Sequence, residues 1–158
     1  MPCSPLVSEL FMSYKGKYQP QNPNKYVGNI GNIQYRSLWE RRFMVYCDTN
    51  TSITKWGSEV IKIPYLSPLD DRVHQYLVDF VIESTGKDGG RKVSLVEIKP
   101  KKQCKEPKQP EKPTKKQKSN YIYEAKTWMV NQQKWEAAKR FAEERGWEFV
   151  VLTEDDIF

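Results

Sequence analysis

A chain of 158 residues is the length of one domain and can bury a sheet with helices, and five Trp, nine Tyr and six Phe exclude wholesale disorder. No apolar run approaches the roughly 20 residues that span a bilayer, so no membrane partner is expected. The net charge of +6 is placed rather than spread: residues 100–118 hold eight lysines and two acids, which leaves the rest of the chain near neutral and points to a polyanionic partner.

Residues 1–11 show no helical or strand period and read as a terminal arm, without the basic and then apolar pattern of a signal peptide. Residues 13–35 are rich in Tyr, Asn, Gly, Pro and Lys, and no acid occurs from Ser13 to Trp39. Such a stretch suits an extended arm laid over the domain with its tyrosines packed down. It also suits a basic, aromatic arm that touches phosphates and bases. Both can hold together.

Residues 37–48 read as a helix. Ser37 is a suitable N-cap, and Glu40 stands three residues on, as in a capping box. Trp39, Phe43, Tyr46 and Cys47 fall at helical spacing and form the expected core face. Residues 56–65 read as a strand ending at Pro64, 67–72 as a turn, and 75–83 as a second strand carrying one acid, Asp79, among apolar neighbours. A hairpin turn at 86–91 leads to a third strand, 93–99. The three make an antiparallel meander. Counting outward from the turn near Lys87 and Asp88 brings Asp79 close to opposite Glu97.

Residues 100–120 are poor in apolar side chains and read as a flexible basic loop. A helix follows over 121–145, with a break expected near Asn131, an apolar face of Trp128, Trp135, Ala138, Phe141 and Ala142, and Gly146 as its C-terminal stop. Residues 147–152 form a last strand, expected to be an interior or well-covered one next to the meander, and 153–158 an acidic tail. The cysteines (Cys3, Cys47, Cys104) and the single His74 define neither a disulfide framework nor a zinc site, so a reducing setting is expected.

The chemistry concentrates on the second and third strands. An acid inside an apolar strand is costly unless paired or bound to a metal, and Asp79 is such an acid. Glu97 and Lys99, two apart on a strand, project from one face. Two carboxylates from neighbouring strands, with a backbone carbonyl such as that of Ile98, suit a hard cation such as Mg²⁺ with water in its open positions. Lys99 would then orient the attacking water or offset developing phosphate charge. Taken as isolated residues, Glu97 with Lys99, or Asp79 with Lys99, equally suit plain ion pairs. Glu40 is read either as the closing half of a helix cap or as a third acid.

Asp79 followed by Glu97-Ile98-Lys99 resembles the PD-(D/E)xK nuclease superfamily, with Val78 in place of the usual proline before the aspartate. The longer stretches Tyr14-Lys-Gly-Lys-Tyr, Tyr35-Arg-Ser-Leu-Trp-Glu40, Trp56-Gly-Ser-Glu-Val, Glu97-Ile-Lys-Pro-Lys-Lys, Trp135-Glu-Ala-Ala-Lys and Leu152-Thr-Glu-Asp are similar to the head-completion nucleases of T4-like tailed phages. Those share their fold with transposon-end endonucleases of the Tn7 type.

The resemblance implies an α/β, restriction-endonuclease-like αβββαβ core with a mixed central sheet. It divides the chain into an arm (1–36) and a nuclease domain (37–158) with the basic loop at 100–120. It implies catalysis by Glu40, Asp79, Glu97 and Lys99, with Glu40 joining Asp79 and Glu97 at Mg²⁺ (Mn²⁺ as a substitute). Cleavage would leave a 3′-hydroxyl and a 5′-phosphate. Arg36, Arg41, Arg42, Lys101, Lys102, Lys105, Lys115, Lys116 and Lys118 would grip double-stranded or branched DNA with little sequence preference. Asn131, Gln132 and Lys134 would add polar groups from the helix after the loop. Action is implied on packaged DNA ends at the portal before the neck and tail join, in the host cytoplasm during phage assembly or in the virion. Two alternatives stand beside this: a non-catalytic DNA- or portal-binding head-completion protein, and a transposon-end or junction-resolving endonuclease.

Overall fold

Ser37 caps the first helix, its hydroxyl accepting from the Glu40 N–H at 3.1 Å and so satisfying one of the orphan donors of a helix start. The computed structural model describes residues 14–157; the arm expected over 1–11 lies outside them. Helix α1 (Leu38–Thr49) buries Trp39, Phe43, Met44 and Cys47 as its core face. Tyr46, expected there, is 51% exposed. The buried stripe turns toward Met44 and Asp48 instead, which puts Tyr46 on the rim beyond Trp39.

Asp48 is fully buried, and its partners come from far back in the sequence. Its carboxylate accepts from the Tyr18 hydroxyl at 2.7 Å and from the N–H groups of Gln21 and Asn22 at 2.6 and 2.9 Å. Its carbonyl accepts from Asn22 Nδ2 and Lys25 Nζ, each at 2.9 Å. Burial pushes this carboxyl up, but the hydrogen bonds from Tyr18, Gln21 and Asn22 outweigh it and hold the group below the usual range. The arm is thereby pinned to α1. Within the arm, β1 (Gly16–Lys17) pairs antiparallel with β2 (Gln34–Tyr35). Tyr18 and Tyr26 pack edge-on against Trp56, ring centroids 6.0 and 4.7 Å away. The reading of an extended arm with tyrosines packed down agrees with this, except for Tyr14, which is exposed.

The four-stranded sheet sets β3 (Ile53–Ser58), β6 (Phe80–Thr85), β7 (Arg91–Ile98) and β8 (Glu148–Leu152) side by side in that order, the first three antiparallel and β8 parallel to β7. Each of the two longer strands expected around Pro64 and Asp79 is broken. β4 (Lys62–Leu66) and β5 (Val73–Leu77) pair with each other as a separate hairpin that leaves the sheet, and Pro64 sits within β4 opposite Gln75 rather than ending the strand. The joint is a β-bulge. Ser58 pairs with Phe80 and Lys62 with Leu77, so three residues on one strand face two on the other, Val78 and Asp79. The Glu59 N–H bonds the Asp79 carbonyl at 3.0 Å and the Val78 N–H bonds the Ile61 carbonyl at 3.1 Å. Glu59 takes a left-handed φ of 54° to make the extra step.

Alternation along β7 builds two cores. Val96 and Ile98, with Phe80, pack on Trp39, Phe43, Met44 and the arm tyrosines. Leu95 packs on the other side with Ile63, Tyr76, Val78, Ala138 and Ala142. Fully burying each large side chain of this kind stabilises by roughly 1.5–3 kcal/mol.

After β7, Lys101–Cys104 forms a 3₁₀ turn, and the second long helix, α2 (Lys115–Glu144), starts six residues earlier than its apolar face suggests. Thr114 and Gln117 form a complete capping box, with bonds of 3.2 and 3.0 Å. Lys and Gln are good helix formers, so a stretch too polar for a core still propagates a helix. The expected flexible loop is therefore shorter: Lys115, Lys116 and Lys118 stand on helical turns, and no break occurs at Asn131. Gly146, at φ 71°, allows the left-handed turn into β8. That strand lies next to the meander, as expected, but as a half-buried edge strand rather than an interior one, and the tail forms a short helix, α3 (Glu154–Ile157).

Candidate active site

Asp79 stands at the joint where the β4–β5 hairpin departs from the sheet, rather than in the middle of a strand. β6 and β7 pair Phe80 with Val96, so one step further sets Asp79 opposite Glu97, as the hairpin count predicts. Asp79 is also tied to the strand that carries Glu97: the Ile98 N–H donates to Asp79 Oδ2 at 2.9 Å. Asp79 is half-buried and Glu97 buried. Burial first, and then the neighbouring Glu97 charge, push the Asp79 carboxyl well above the usual carboxylate range.

Lys99 Nζ lies 3.6 Å from Glu97 Oε1, with both side chains largely shielded from water. The ion pair weighed from the sequence is present, but as a shielded contact, not a surface one. The Lys99 N–H bonds the Leu152 carbonyl at 2.9 Å, so β8 fixes the backbone from which this lysine reaches inward. Glu97 Oε2 accepts from the Tyr76 hydroxyl. Burial and the Glu97 and Asp79 charges push the Tyr76 phenol up, which keeps it a donor. Tyr76 is not among the sequence candidates, although a signal for it exists: a tyrosine inside an apolar strand must find a partner for its hydroxyl when buried.

Glu40 approaches from α1. Its Oε2 accepts from the Arg36 N–H at 3.0 Å rather than from the Ser37 N–H, so it does not close the expected capping box. Burial raises its carboxyl, with the Arg36 interactions opposing and the Glu97 charge adding to the rise. Glu40, Asp79, Glu97 and Lys99 thus share one electrostatic neighbourhood. Among the described residues no three acid, His or Cys side chains converge into a preformed metal cage.

From α2, Lys134 Nζ lies 5.8 and 5.6 Å from the ring centroids of Tyr65 and Tyr76. Burial, then the Lys99 charge, lower its ammonium against the pull of Glu97 and Asp79. One helical turn earlier, Asn131 is buried and its Nδ2 finds no hydrogen-bond partner among the described residues.

The basic residues are dispersed. Arg36 pairs with Glu59 at the bulge, and Arg41 lies over the Tyr35 ring at 6.0 Å. Arg41, Arg42, Lys102 and Lys105 are exposed, as are Lys115, Lys116 and Lys118. Lys101 pairs with Asp155 at 2.8 Å, and its N–H bonds Glu154. It is a clamp to α3 as well as a surface charge. Gln132 lines a separate hollow with Trp135, Glu136 and Lys139.

A bent ribbon with an acid at its bulge, a Glu-x-Lys strand beside it and a parallel strand returning through a long helix define a nuclease fold. The family model of the TnsA-like endonuclease N-terminal domain matches residues 50–154, and the chain belongs to that family. The chain is 40% identical over 146 residues to the head completion nuclease of Enterobacteria phage T4, an alignment covering 92% of this chain and 95% of the relative; it is a head completion nuclease homologue. No solved structure matches it.

Proposed function

We propose that this chain is a Mg²⁺-dependent DNA endonuclease that trims or processes packaged DNA ends during phage head completion, before neck and tail attach. The observation that carries the reading is the pairing of Asp79 with Glu97 beside Lys99. Two carboxylates are held together in a shielded place, and the charge of one raises the proton affinity of the other. Two neighbouring carboxylates suit a hard divalent cation, with Lys99 set against one oxygen of Glu97. The site fits two carboxylate ligands and a backbone oxygen, with Glu40 acting on them through its field. Mg²⁺ held there would polarise the attacking water and offset charge on the scissile phosphate.

The chain's own residues supply the rest. Tyr76 orients Glu97 by its hydrogen bond. The Ile98 N–H holds Asp79. Lys99 is placed to align water or to balance charge on a non-bridging phosphate oxygen, and β8 steadies it. Lys134 and the unmet Asn131 Nδ2 offer a cation and a donor for a phosphate arriving between α2 and the β4–β5 hairpin. Arg41, Arg42 and the exposed lysines of 102–118 would neutralise backbone phosphates, giving affinity without sequence preference. Portal or neck proteins are the proposed partners, in the host cytoplasm during assembly and in the virion.

The test incubates purified protein with supercoiled DNA and Mg²⁺ beside Glu97→Ala and Lys99→Ala. Loss of one oriented, charge-stabilising group typically costs about 10²–10³ in kcat. Equal nicking by all three proteins overturns the assignment.

A further inference from the structure

Glu59 holds the extra step of the bulge at a φ of 54°, a left-handed conformation that glycine adopts freely and a residue with a Cβ seldom does. The chain keeps a glutamate there, and its side chain has a partner. The Glu59 carboxylate accepts from Arg36 Nη1, with the acid largely shielded and the guanidinium more than half exposed. Arg36 sits where the arm ends and α1 begins, between β2 and the capping Ser37.

Both residues also bond through their backbones, and each of those bonds ends on an acid of the site. The Arg36 N–H donates to Glu40 Oε2 at 3.0 Å, and the Glu59 N–H to the Asp79 carbonyl at 3.0 Å. From Asp79 the run continues through its carboxylate to the Ile98 N–H at 2.9 Å, between Glu97 and Lys99. In this run the side-chain pair is the link that joins α1, carrying Glu40, to the sheet joint carrying Asp79. An ion pair open to water contributes little to stability, so a fold staple explains it poorly. The DNA grip expected of Arg36 would need a charge that Glu59 already offsets.

We propose that Arg36 and Glu59 are positioning residues, whose ion pair sets the Glu40 carboxylate in one fixed place against the Asp79 and Glu97 pair that holds a divalent cation. Arg36 acts through Glu40 and Glu59 through the Asp79 backbone. The proposal rests on the metal-dependent reading of the site. Signs separate positioning from a plain field effect. By field alone, removing the Arg36 charge would strengthen the binding of a nearby cation, and removing the Glu59 charge would weaken it. If the pair positions Glu40, both changes weaken it.

Mn²⁺ binding is measured without DNA, by the electron paramagnetic resonance of the free ion, for the parent, Arg36→Gln, Glu59→Gln, the double variant and Glu59→Gly. Each Gln variant is expected to bind Mn²⁺ about tenfold more weakly, the low end of what groups that orient metal ligands typically contribute. The double variant should bind no more weakly than the singles, because the two residues act as one unit. Glu59→Gly, whose backbone suits the bulge, is expected to lose Mn²⁺ affinity as Glu59→Gln does while melting no lower than it. DNA binding by Arg36→Gln in EDTA should keep the parent's affinity and salt slope. Parental Mn²⁺ affinity in any single variant overturns the proposal, as does tighter Mn²⁺ binding by Arg36→Gln or losses that add in the double variant. So does a salt slope flattened by about 0.9 in Arg36→Gln, the mark of a phosphate contact. A parent that binds no Mn²⁺ removes the metal reading and the proposal together; a parent that binds it beside variants that bind it equally removes the proposal alone.

Discussion

The Tyr76 hydroxyl donates to Glu97 Oε2 while Lys99 Nζ stands 3.6 Å from Glu97 Oε1, so each oxygen of this carboxylate has its own partner, one from a hairpin outside the sheet and one from two residues along. The carboxylate is oriented from two sides before any substrate arrives. Partners that orient a metal-site carboxylate typically matter about 10–100-fold in metal affinity or activity. Tyr76→Phe is expected to lower Mg²⁺-supported nicking by that factor. Its melting temperature should stay close to the parent's, because the ring still fills its place beside Ile63 and Leu95. Nicking and thermal melting on the same preparation check this, and parental activity would count Tyr76 as packing alone.

Asp79 sets a pH dependence of stability. Its folded-state carboxyl is raised above the unfolded value by burial and by Glu97. The favourable contribution of its protonated form is fully present below the unfolded pKa and is lost as pH rises through the raised one. In EDTA, Asp79→Asn is expected to melt higher than the parent at pH 8, with the gain shrinking as pH falls toward 4. Melting curves across that range read it; a gain independent of pH would assign the effect to packing. The same variant should not nick DNA.

Asp48 works in the opposite sense. Its carboxyl is held low by hydrogen bonds, so its contribution is present above the unfolded pKa and lost as pH falls through the folded one. Asp48→Ala leaves the N–H groups of Gln21 and Asn22 without their acceptor, at about 1–3 kcal/mol for each donor that stays buried. Urea unfolding should show that loss, and proteolysis should reach the 14–35 segment first. A variant that unfolds like the parent would mean that Tyr18 and Tyr26 hold the arm by burial alone.

Lys115, Lys116 and Lys118 occupy the start of α2, whose first turn has no acid and where the helix dipole disfavours positive charge. Changing all three to Gln is expected to leave the helix as stable or slightly more so. It should lower DNA affinity and flatten the salt slope by about 0.9 for each duplex phosphate left without its cation. Anisotropy titrations at several salt concentrations decide it, and an unchanged slope would reduce these lysines to solubilising charges.

The facing of Asp79 and Glu97 was legible in the sequence because both belong to one hairpin, and hairpin register is set by its turn. Glu97 and Lys99 were legible because strand periodicity leaves them on one face. The departure of the β4–β5 hairpin was not. The apolar run from Tyr76 to Ile82 continues through the joint, and what breaks it is one extra residue on the other strand, at Glu59, where no glycine marks the bulge. Asp48 was invisible for a different reason: its partners Tyr18, Gln21 and Asn22 lie a full arm away, and no local pattern records interactions of that range. The start of α2 was hidden because low hydrophobicity resembles looseness, although Thr114 and Gln117 spelled a cap.

One consequence concerns the order of synthesis. The backbone of Lys99 is clamped by Leu152, fifty-odd residues further along. A growing chain on the ribosome therefore holds Asp79, Glu97 and Lys99 long before it owns the strand that steadies the lysine. The strand that steadies the lysine is thus delivered last, and a chain interrupted between Lys99 and β8 would carry all the named acids and lack that support.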